Sequence, residues 1–289
     1  MIVVLGDIAV DIVSVLRAPL ARGSDSPGEV SPMPGGSGAN VAVWLARLGH
    51  PVVFVGRLGN DPFGRWLRTD LEAENVESIL TIDASRHTAV IQVLVEPGGE
   101  RTMVPDRGAN AVWTGDEAPE SLIASADLLH VVGYVMLDEQ SRPGALRAMQ
   151  YARAHGVPIS LDPSSHAPLQ QLGAEGFWSL VSPVTVLLPN RNEARVLGRR
   201  EDPESALQVL LKYAKLVVIK MDREGCLAAT SSQRWRISAP QVGAINATGA
   251  GDAFNAGFLA RWAACGNVES ACRAGVALGT YATTLPESR

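Results

Sequence analysis

Short apolar runs alternate with segments of helical period along most of the chain. Aliphatic and β-branched runs predict strands at residues 2–5, 52–55, 128–132, 159–161, 184–188 and 216–219. Between them, apolar positions three and four residues apart predict helices at residues 39–48, 62–74, 139–155 and 203–213. This alternation predicts an α/β fold with a mostly parallel sheet and helices on both faces.

Two segments depart from the alternation. Residues 12–34 contain four prolines and no helical period. Residues 88–104 form two apolar runs joined by Pro-Gly-Gly-Glu at 97–100, which is typical of a β-hairpin. Together the two segments predict a small β flap that stands off the main sheet.

Composition narrows the class of protein. The chain has 289 residues, of which 46% are hydrophobic, so a substantial core can form. Its net charge of -5 argues against nucleic-acid binding through a basic surface. Asp7 and Asp11 interrupt the apolar N-terminus, which argues against a signal peptide, and no uncharged run is long enough for a membrane helix. Three cysteines without metal-site spacing indicate a reduced, cytoplasmic protein.

The sequence INATGAGDAFNAGF, at 245–258, places small residues before a carboxylate at the start of a predicted helix. Gly249 and Gly251 let the backbone turn tightly and approach a ligand, because neither has a Cβ. Amides at a helix N-terminus favour a phosphate, and the carboxylate of Asp252 can accept a proton from an attacking hydroxyl. Taken alone, however, the motif fits an ordinary turn and a helix N-cap better.

A second glycine-rich motif, PGGSGANVAVWLARLG at 34–49, also leads into a predicted helix. Gly35, Gly36 and Gly38 allow close backbone approaches. Asn40 lies in the first helical turn, where its amide can reach the hydroxyls of a ligand. The motif lacks the lysine of a P-loop and the strand–glycine pattern of a dinucleotide fold. By itself it also fits a plain loop and helix start.

Together the two motifs resemble the two signatures of the PfkB (ribokinase-like) carbohydrate kinases, in the family's order and separation. The resemblance covers essentially the whole chain. It implies one ribokinase-like domain over residues 1–289, a three-layer α/β/α fold, and a small β lid formed by residues 12–34 and 88–104. It also implies transfer of the γ-phosphoryl group of ATP to a hydroxymethyl group of a small sugar or sugar derivative, with Mg²⁺.

The resemblance implies roles at the matching positions. Asp252 is the general base that takes the proton from the hydroxyl. The amides of the anion hole belong to Gly249, Ala250 and Gly251. The sugar is implied to contact Asp11, Gly35, Gly36 and Asn40. Arg107 and Asn110 follow the flap and are expected to face the sugar. The alternatives are a solvated strand-end charge for Asp11 and a surface position for Arg107.

The nucleotide is expected to lie near Asn190, Glu193, Lys220, Gly225 and Asp162. The sequence PNRNEARVL, at 189–197, resembles the family's N-x-x-E motif, in which Glu193 holds Mg²⁺ through water. Asp162 ends a predicted strand at the edge of the sheet where α/β ligand sites gather. The alternatives are a helix cap followed by a surface glutamate, and a Lys220 that points to solvent.

Three positions depart from the family's pattern. Ser37 stands where ribokinases usually have lysine, which weakens the case for ribose. Asp222 replaces the first glycine of a G-x-x-G turn. Asn246 replaces an aspartate in a region that helps to hold a monovalent cation in many members. This last change puts K⁺ activation in doubt.

Three functions stay open, and a sugar kinase is favoured. A nucleoside kinase of the adenosine or pseudouridine type needs aromatic stacking near the lid, for which Trp113 and Tyr134 are the candidates. A catalytically silent sugar or nucleotide sensor would not need Asp252. Lids pair into homodimers in this family, and the apolar strand residues Val90, Val93 and Val95 would give such a pairing a physical reason.

Overall fold

The computed structural model describes residues 1–181, 183–285 and 289. The strands are β1 (Ile2–Leu5), β2 (Ala9–Leu16), β3 (Gly28–Gly35), β4 (Val52–Gly59), β5 (Glu77–Asp83), β6 (Ala89–Val95), β7 (Arg101–Asp106), β8 (Leu128–Val132), β9 (Ile159–Asp162), β10 (Val184–Leu187), β11 (Ala214–Lys220), β12 (Cys226–Ala229) and β13 (Arg234–Ile237). The helices are α1 (Ser37–Arg47), α2 (Pro62–Ala73), α3 (Glu120–Ala124), α4 (Tyr134–Leu137), α5 (Arg142–Ala154), α6 (His166–Leu172), α7 (Ala174–Val181), α8 (Arg191–Gly198), α9 (Pro203–Leu210), α10 (Ala250–Cys265) and α11 (Val268–Ala282). Short 3-10 helices lie at Gly108–Ala111 and Asp222–Glu224.

The larger sheet has the strand order β13-β12-β11-β10-β9-β8-β1-β4-β5. From β11 to β5 all neighbouring strands are parallel, and β12 and β13 extend the sheet in antiparallel fashion. The prediction of a mostly parallel α/β sheet is therefore confirmed. None of the helices in the described ranges is long and apolar enough to cross a membrane.

Strand β1 shows why helices cover both faces of this sheet. All four of its residues are fully buried, although successive side chains point to opposite faces. Val3 and Leu5 join the core beneath α3 to α9, whereas Ile2 and Val4 join the core beneath α1, α2, α10 and α11. Both faces of this central strand are therefore covered, and the sheet lies between two helical layers.

The smaller sheet has the order β3-β2-β6-β7, and both predicted flap segments contribute strands to it. Its hairpin turn is closed by the Glu96 amide, which donates to the Glu100 carbonyl at 2.9 Å. The expectation that Val93 is exposed is wrong, because strand alternation turns it to the covered face, where it is 3% exposed. The exposed apolar side chains of this sheet are Val15, Val30, Met103 and Val104.

Edge elements differ most from the sequence prediction. Strand β5 was not predicted, because its sequence ESILTID mixes charged and apolar residues and most of its side chains are only partly buried. The hairpin of β12 and β13 was also missed, since β13 carries two arginines. Helix α5 begins at Arg142 rather than at residue 139.

The start of α1 is seated by a close contact between two glycines. Gly6 follows β1, and Gly38 lies in the first turn of α1. A Cβ on Gly38 would lie 2.6 Å from the Cα of Gly6, a distance that real Cβ contacts essentially never show. The absence of a side chain at both positions therefore lets the first turn of α1 reach the carboxyl end of β1.

We expect Gly38→Ala to lower the free energy of unfolding by about 1–3 kcal/mol, because the new methyl group forces the backbones apart. Urea denaturation measures the change. Gly98→Ala is the matched control, since a Cβ there meets nothing within 4 Å. Equal stability of the two variants would show that α1 is not seated by this contact.

Candidate active site

The carboxyl ends of the central strands open into a cleft of about 510 Å³. From β1 the chain proceeds to β4 and β5 on one side and later returns to β8 on the other. Ligand sites of α/β sheets lie at such a reversal, outside the carboxyl ends. The predicted site residues that line the cleft are Asp162, Asn190, Glu193, Lys220, Gly225, Ala250, Gly251 and Asp252.

Asp252 lies in the first turn of α10 and faces the start of α1. Its Oδ1 accepts a hydrogen bond from the Ser37 hydroxyl at 2.5 Å, and its Oδ2 accepts one from the Asn40 amide at 2.9 Å. Burial raises the pKa of Asp252 to about 7, although both hydrogen bonds oppose the shift. A carboxyl group that ionises near neutral pH is well matched to taking up and releasing a proton.

Helix α10 presents its N-terminus to the cleft without a side-chain cap. Gly249 precedes the helix with φ +77°, in the left-handed region that favours glycine. The N–H groups of a first helical turn have no acceptor within the helix, and Ala250 and Gly251 line the cleft at this point. The Ala250 amide donates a long hydrogen bond of 3.4 Å to the Ala247 carbonyl, outside the helix. An anion next to Asp252 could replace this long bond and accept from the amides of the first turn.

A buried ion pair lies under the anion-binding end of α10. Lys220 donates to the Asp162 carboxylate at 2.6 Å and to the Asn255 side-chain oxygen at 3.2 Å. Although burial opposes the shift, the Lys220 ammonium lowers the pKa of Asp162. The Lys220 side chain is only 12% exposed, so the alternative in which it points to solvent is wrong. A Cβ on Gly251 would lie 3.7 Å from the Lys220 Nζ, which places a positive charge beside the amides.

Asn190 and Glu193 form a capping box at the start of α8. The backbone amide of Glu193 donates to the Asn190 Oδ1 at 2.9 Å, and the backbone amide of Asn190 donates to the Glu193 carboxylate at 2.8 Å. The helix-cap alternative is therefore right about the cap, but Glu193 is 1% exposed and not a surface residue. Burial, together with the nearby Asp162 carboxylate, raises the pKa of Glu193.

Asp11 lies inside β2 and is 9% exposed, so it is not a solvated strand-end charge. Gly35 allows this burial, because a Cβ there would lie 2.6 Å from the Asp11 Cγ. Burial, and then the neighbouring Asp7 carboxylate, raise the pKa of Asp11 to about 7. Gly36 supports the same region with φ +93°, which lets the chain pass close to Ile8.

Four buried side-chain oxygens lack hydrogen-bond partners in the described part of the chain, and one of them, Oδ2 of Asp138, lies 3.3 Å from the Arg107 guanidinium. The other three are Oδ1 of Asp11, Oδ1 of Asn40 and Oδ1 of Asn110. All three belong to residues predicted to bind the sugar, and all three are acceptors. Buried acceptors are rarely left unpaired, so this set suits a ligand that presents several hydroxyl donors.

Arg107 is engaged with the protein. Its guanidinium donates to the Tyr134 carbonyl at 3.0 Å, lies 3.3 Å from the Asp138 carboxylate and stands 5.4 Å from the centre of the Tyr134 ring. Tyr134 lines the cleft, whereas Trp113 is 2% exposed and belongs to the core. Of the two aromatic candidates for stacking on a nucleoside, only Tyr134 therefore reaches the cleft.

Sequence reasoning missed two residues that contact the predicted ones. Ser37 was noted only as a departure from the family's pattern, yet its hydroxyl donates to Asp252. Asn255 was not singled out, yet its amide donates to the Asp162 carboxylate at 2.5 Å. Helical spacing was the available signal for Asn255, because a residue three positions after Asp252 lies on the same side of α10.

The chain was compared with known proteins. A family model described as pfkB family carbohydrate kinase matches residues 1–289. The fructokinase of Salmonella typhimurium is 32% identical over 271 residues, which are 91% of this chain and 84% of the relative. The crystal structure of a fructokinase from Vibrio cholerae O395, with fructose, ADP and calcium ion bound, is 26% identical with a TM-score of 0.81, and covers 99% of this chain and 94% of that chain.

The adenosine kinase from Sinorhizobium meliloti matches with a TM-score of 0.87 at 22% identity, over 100% of this chain and 95% of that chain, a likeness that shows the fold alone. The fold and the family match together define a ribokinase-like α/β kinase. The chain belongs to the pfkB family of carbohydrate kinases, which are ATP-dependent phosphotransferases.

The raised pKa of Asp252 predicts that the stability of the folded protein depends on pH. In the unfolded chain this carboxyl titrates at its ordinary 3.8, but in the folded chain at about 7. The folded state therefore holds an extra proton between these values, and this contribution to stability is full below pH ~4 and lost as the pH rises through 7. Asp252→Asn cannot ionise, so we expect it to be more stable than the unsubstituted protein at pH 8, by up to about 4 kcal/mol, and by less than half as much at pH 5, where only the unfolded chain has lost the proton.

Thermal unfolding of both proteins at pH 5 and pH 8 measures this difference. Asp202→Asn is the control, because Asp202 is an exposed N-cap whose pKa is lowered rather than raised. An Asp252→Asn variant that is less stable than the unsubstituted protein at pH 8 would contradict the raised pKa.

Proposed function

We propose that the chain transfers the γ-phosphoryl group of ATP to a hydroxymethyl group of a small sugar or sugar derivative, with fructose and ribose as the first substrates to test. The observation that carries the proposal is the position of Asp252 in the first turn of α10. There one carboxylate with a pKa near 7 lies directly beside uncapped helix amides. Fructokinases among the relatives support a sugar as the acceptor.

In the proposed reaction, Asp252 is the general base. Its carboxylate takes the proton as the hydroxyl oxygen of the sugar forms a bond to the γ-phosphorus. The bond from that phosphorus to the bridging oxygen breaks, and ADP leaves. The amides of Gly249, Ala250 and Gly251 stabilise the charge on the transferring group, and most of the rate arises from such positioning and stabilisation.

The remaining predicted residues divide between the two substrates. We assign Asp11, Gly35, Gly36, Asn40, Arg107 and Asn110 to the sugar side, where the unpaired acceptors support hydroxyl binding. We assign Asn190, Lys220, Gly225 and Asp162 to the nucleotide side. Glu193 would hold Mg²⁺ through water, since Mg²⁺ usually keeps several of its waters. Mg²⁺ would neutralise phosphate charge.

We also propose that residues 1–289 form one kinase domain in which the smaller sheet is the lid. Closing this sheet over the sugar would exclude water and limit wasteful hydrolysis of ATP. Its exposed Val30, Met103 and Val104 support pairing of two lids in a homodimer. Asn246 brings no charge to the loop before α10, so we do not propose a K⁺ requirement.

The proposal is tested by measuring ADP release with ATP over a panel of sugars and nucleosides. Turnover of fructose, ribose or a related sugar supports it. Turnover of nucleosides alone would make the chain a nucleoside kinase. Thermal shifts on adding sugars or nucleotides without any turnover would instead indicate a silent sensor.

Asp252→Asn is expected to bind sugar and ATP normally and to lose turnover by several orders of magnitude, since base and charge are removed together. In the unsubstituted enzyme, the acid limb of kcat/KM should fall below pH ~7, because the base must be ionised to act. Steady-state kinetics from pH 5 to 9 measures both. Near-normal kcat in the variant would show that another group accepts the proton.

Asp11→Asn is expected to raise the KM for sugar about 10-fold or more while the KM for ATP stays unchanged, because hydrogen bonds to a charged acceptor are lost. Asp25→Asn is the control, since Asp25 is exposed in the turn between β2 and β3. A parallel rise of both KM values would remove Asp11 from the sugar side.

A further inference from the structure

Arg101 connects the smaller sheet to the loop that precedes the anion-binding amides. It is the first residue of β7, at the start of the second strand of the hairpin. Its Nη2 donates to the Asn246 side-chain oxygen at 2.7 Å, and its Nη1 donates to the Thr248 hydroxyl. Both arms of one guanidinium thus bind the segment 246–248, which lies 145 residues away from Arg101 in the chain.

The segment 246–248 is also held from within. The Thr248 amide donates to the same Asn246 oxygen at 2.8 Å. The backbone amides of Ile245 and Asn246 donate to the Thr283 carbonyl, just after α11, at 2.8 and 3.1 Å. Next along the chain come Gly249, with φ +77°, and then the first turn of α10, where Ala250 and Gly251 line the cleft. The segment 246–248 therefore leads directly into the turn that carries these amides.

Among these contacts, that of Arg101 is the one that comes from the smaller sheet. The others join the loop to itself or to α11 and stay in place when the smaller sheet moves. The guanidinium contact, in contrast, can form only when β7 lies against the loop. Because it uses two donors in a fixed fork, it fixes orientation as well as distance.

We propose that Arg101 is a positioning residue that couples closure of the smaller sheet to the final placement of the anion-hole amides. The inference rests on the proposed function for its effect on catalysis, but the contact itself can be tested without turnover. The guanidinium contacts Asn246 and Thr248 whenever the smaller sheet is closed, and a bound sugar favours the closed state. This orders the loop just when the amides are needed for the transferring phosphoryl group.

The kinetic test uses Arg101→Ala, with Arg17→Ala as the matched control. Arg17 also belongs to the smaller-sheet region, but it is 69% exposed and pairs with the exposed Glu29. We expect Arg101→Ala to lower kcat about 10- to 100-fold, the equivalent of one or two charged hydrogen bonds, with the KM for ATP unchanged. Arg101→Lys should recover part of the loss, since it restores one charged donor. Unchanged kcat in Arg101→Ala would overturn the proposal.

A double-mutant cycle tests whether the contact itself is responsible. Thr248→Val removes the hydroxyl that accepts from Arg101. If the two residues act together, the effect of Arg101→Ala on kcat should be much smaller in the Thr248→Val background. Fully additive effects would mean that Arg101 acts elsewhere, and the proposal would fail.

Hydrogen exchange of the unliganded proteins supplies the readout that does not depend on activity. We expect the amides of residues 246–252 to exchange faster in Arg101→Ala than in the unsubstituted protein, while Arg17→Ala exchanges like the unsubstituted protein. Arg101→Gln serves the same purpose if the alanine variant does not fold. Unchanged exchange would overturn the proposal. Faster exchange in a protein that phosphorylates no sugar would uphold the contact and reject the proposed function.

Discussion

The two hydrogen bonds that Asp252 accepts from Ser37 and Asn40 hold the first turns of α1 and α10 together. These helices come from opposite ends of the chain, and both direct their positive ends at one carboxylate. Two donors and two helix termini favour the charged form, whereas burial disfavours it. The resulting pKa of about 7 is therefore a balance that exists only when the two helices meet. The contact thus joins the two glycine-rich helix starts at the cleft.

The acidic residues of the cleft do not prevent a polyphosphate from binding there through charge repulsion. Asp162 is neutralised by Lys220, with which it forms a buried ion pair. Burial favours the protonated forms of Glu193 and Asp252, so these groups carry less negative charge than their number suggests. A cation bound near Glu193 would shift that balance toward the carboxylate. Lys220 meanwhile keeps a fixed positive charge next to Gly251.

Local signals in the sequence predicted the framework of the fold and much of the candidate site. The alternation of strands and helices was predictable from strands such as β1, which is apolar at every position. The glycine-rich turns were readable because close approach and positive φ leave few other choices, as at Gly36 and Gly249. Edge strand β5 was not predicted. A strand with only one buried face carries a mixed pattern of polar and apolar residues.

Long-range contacts were beyond the sequence for a different reason. The residues next to Lys220 in the sequence do not indicate that its ammonium group forms an ion pair with Asp162, 58 residues away. The burial of Val93 likewise depends on which face of the smaller sheet is covered. For Asn190 and Glu193 the sequence suggested either a helix cap or a ligand site. In the structure the same two residues form the capping box and line the cleft.

Asn246 stands where the family's pattern has an aspartate, and its contacts in the structure give this difference a physical interpretation. Its side-chain oxygen accepts from the Thr248 amide and from the Arg101 guanidinium together. A carboxylate could accept the same two hydrogen bonds and would add an ion pair to a partly buried arginine. If the smaller sheet opens and closes as proposed, a weak contact is favoured, because a tightly held lid delays product release. A neutral acceptor at this position therefore suits a reversible contact better than a charged one.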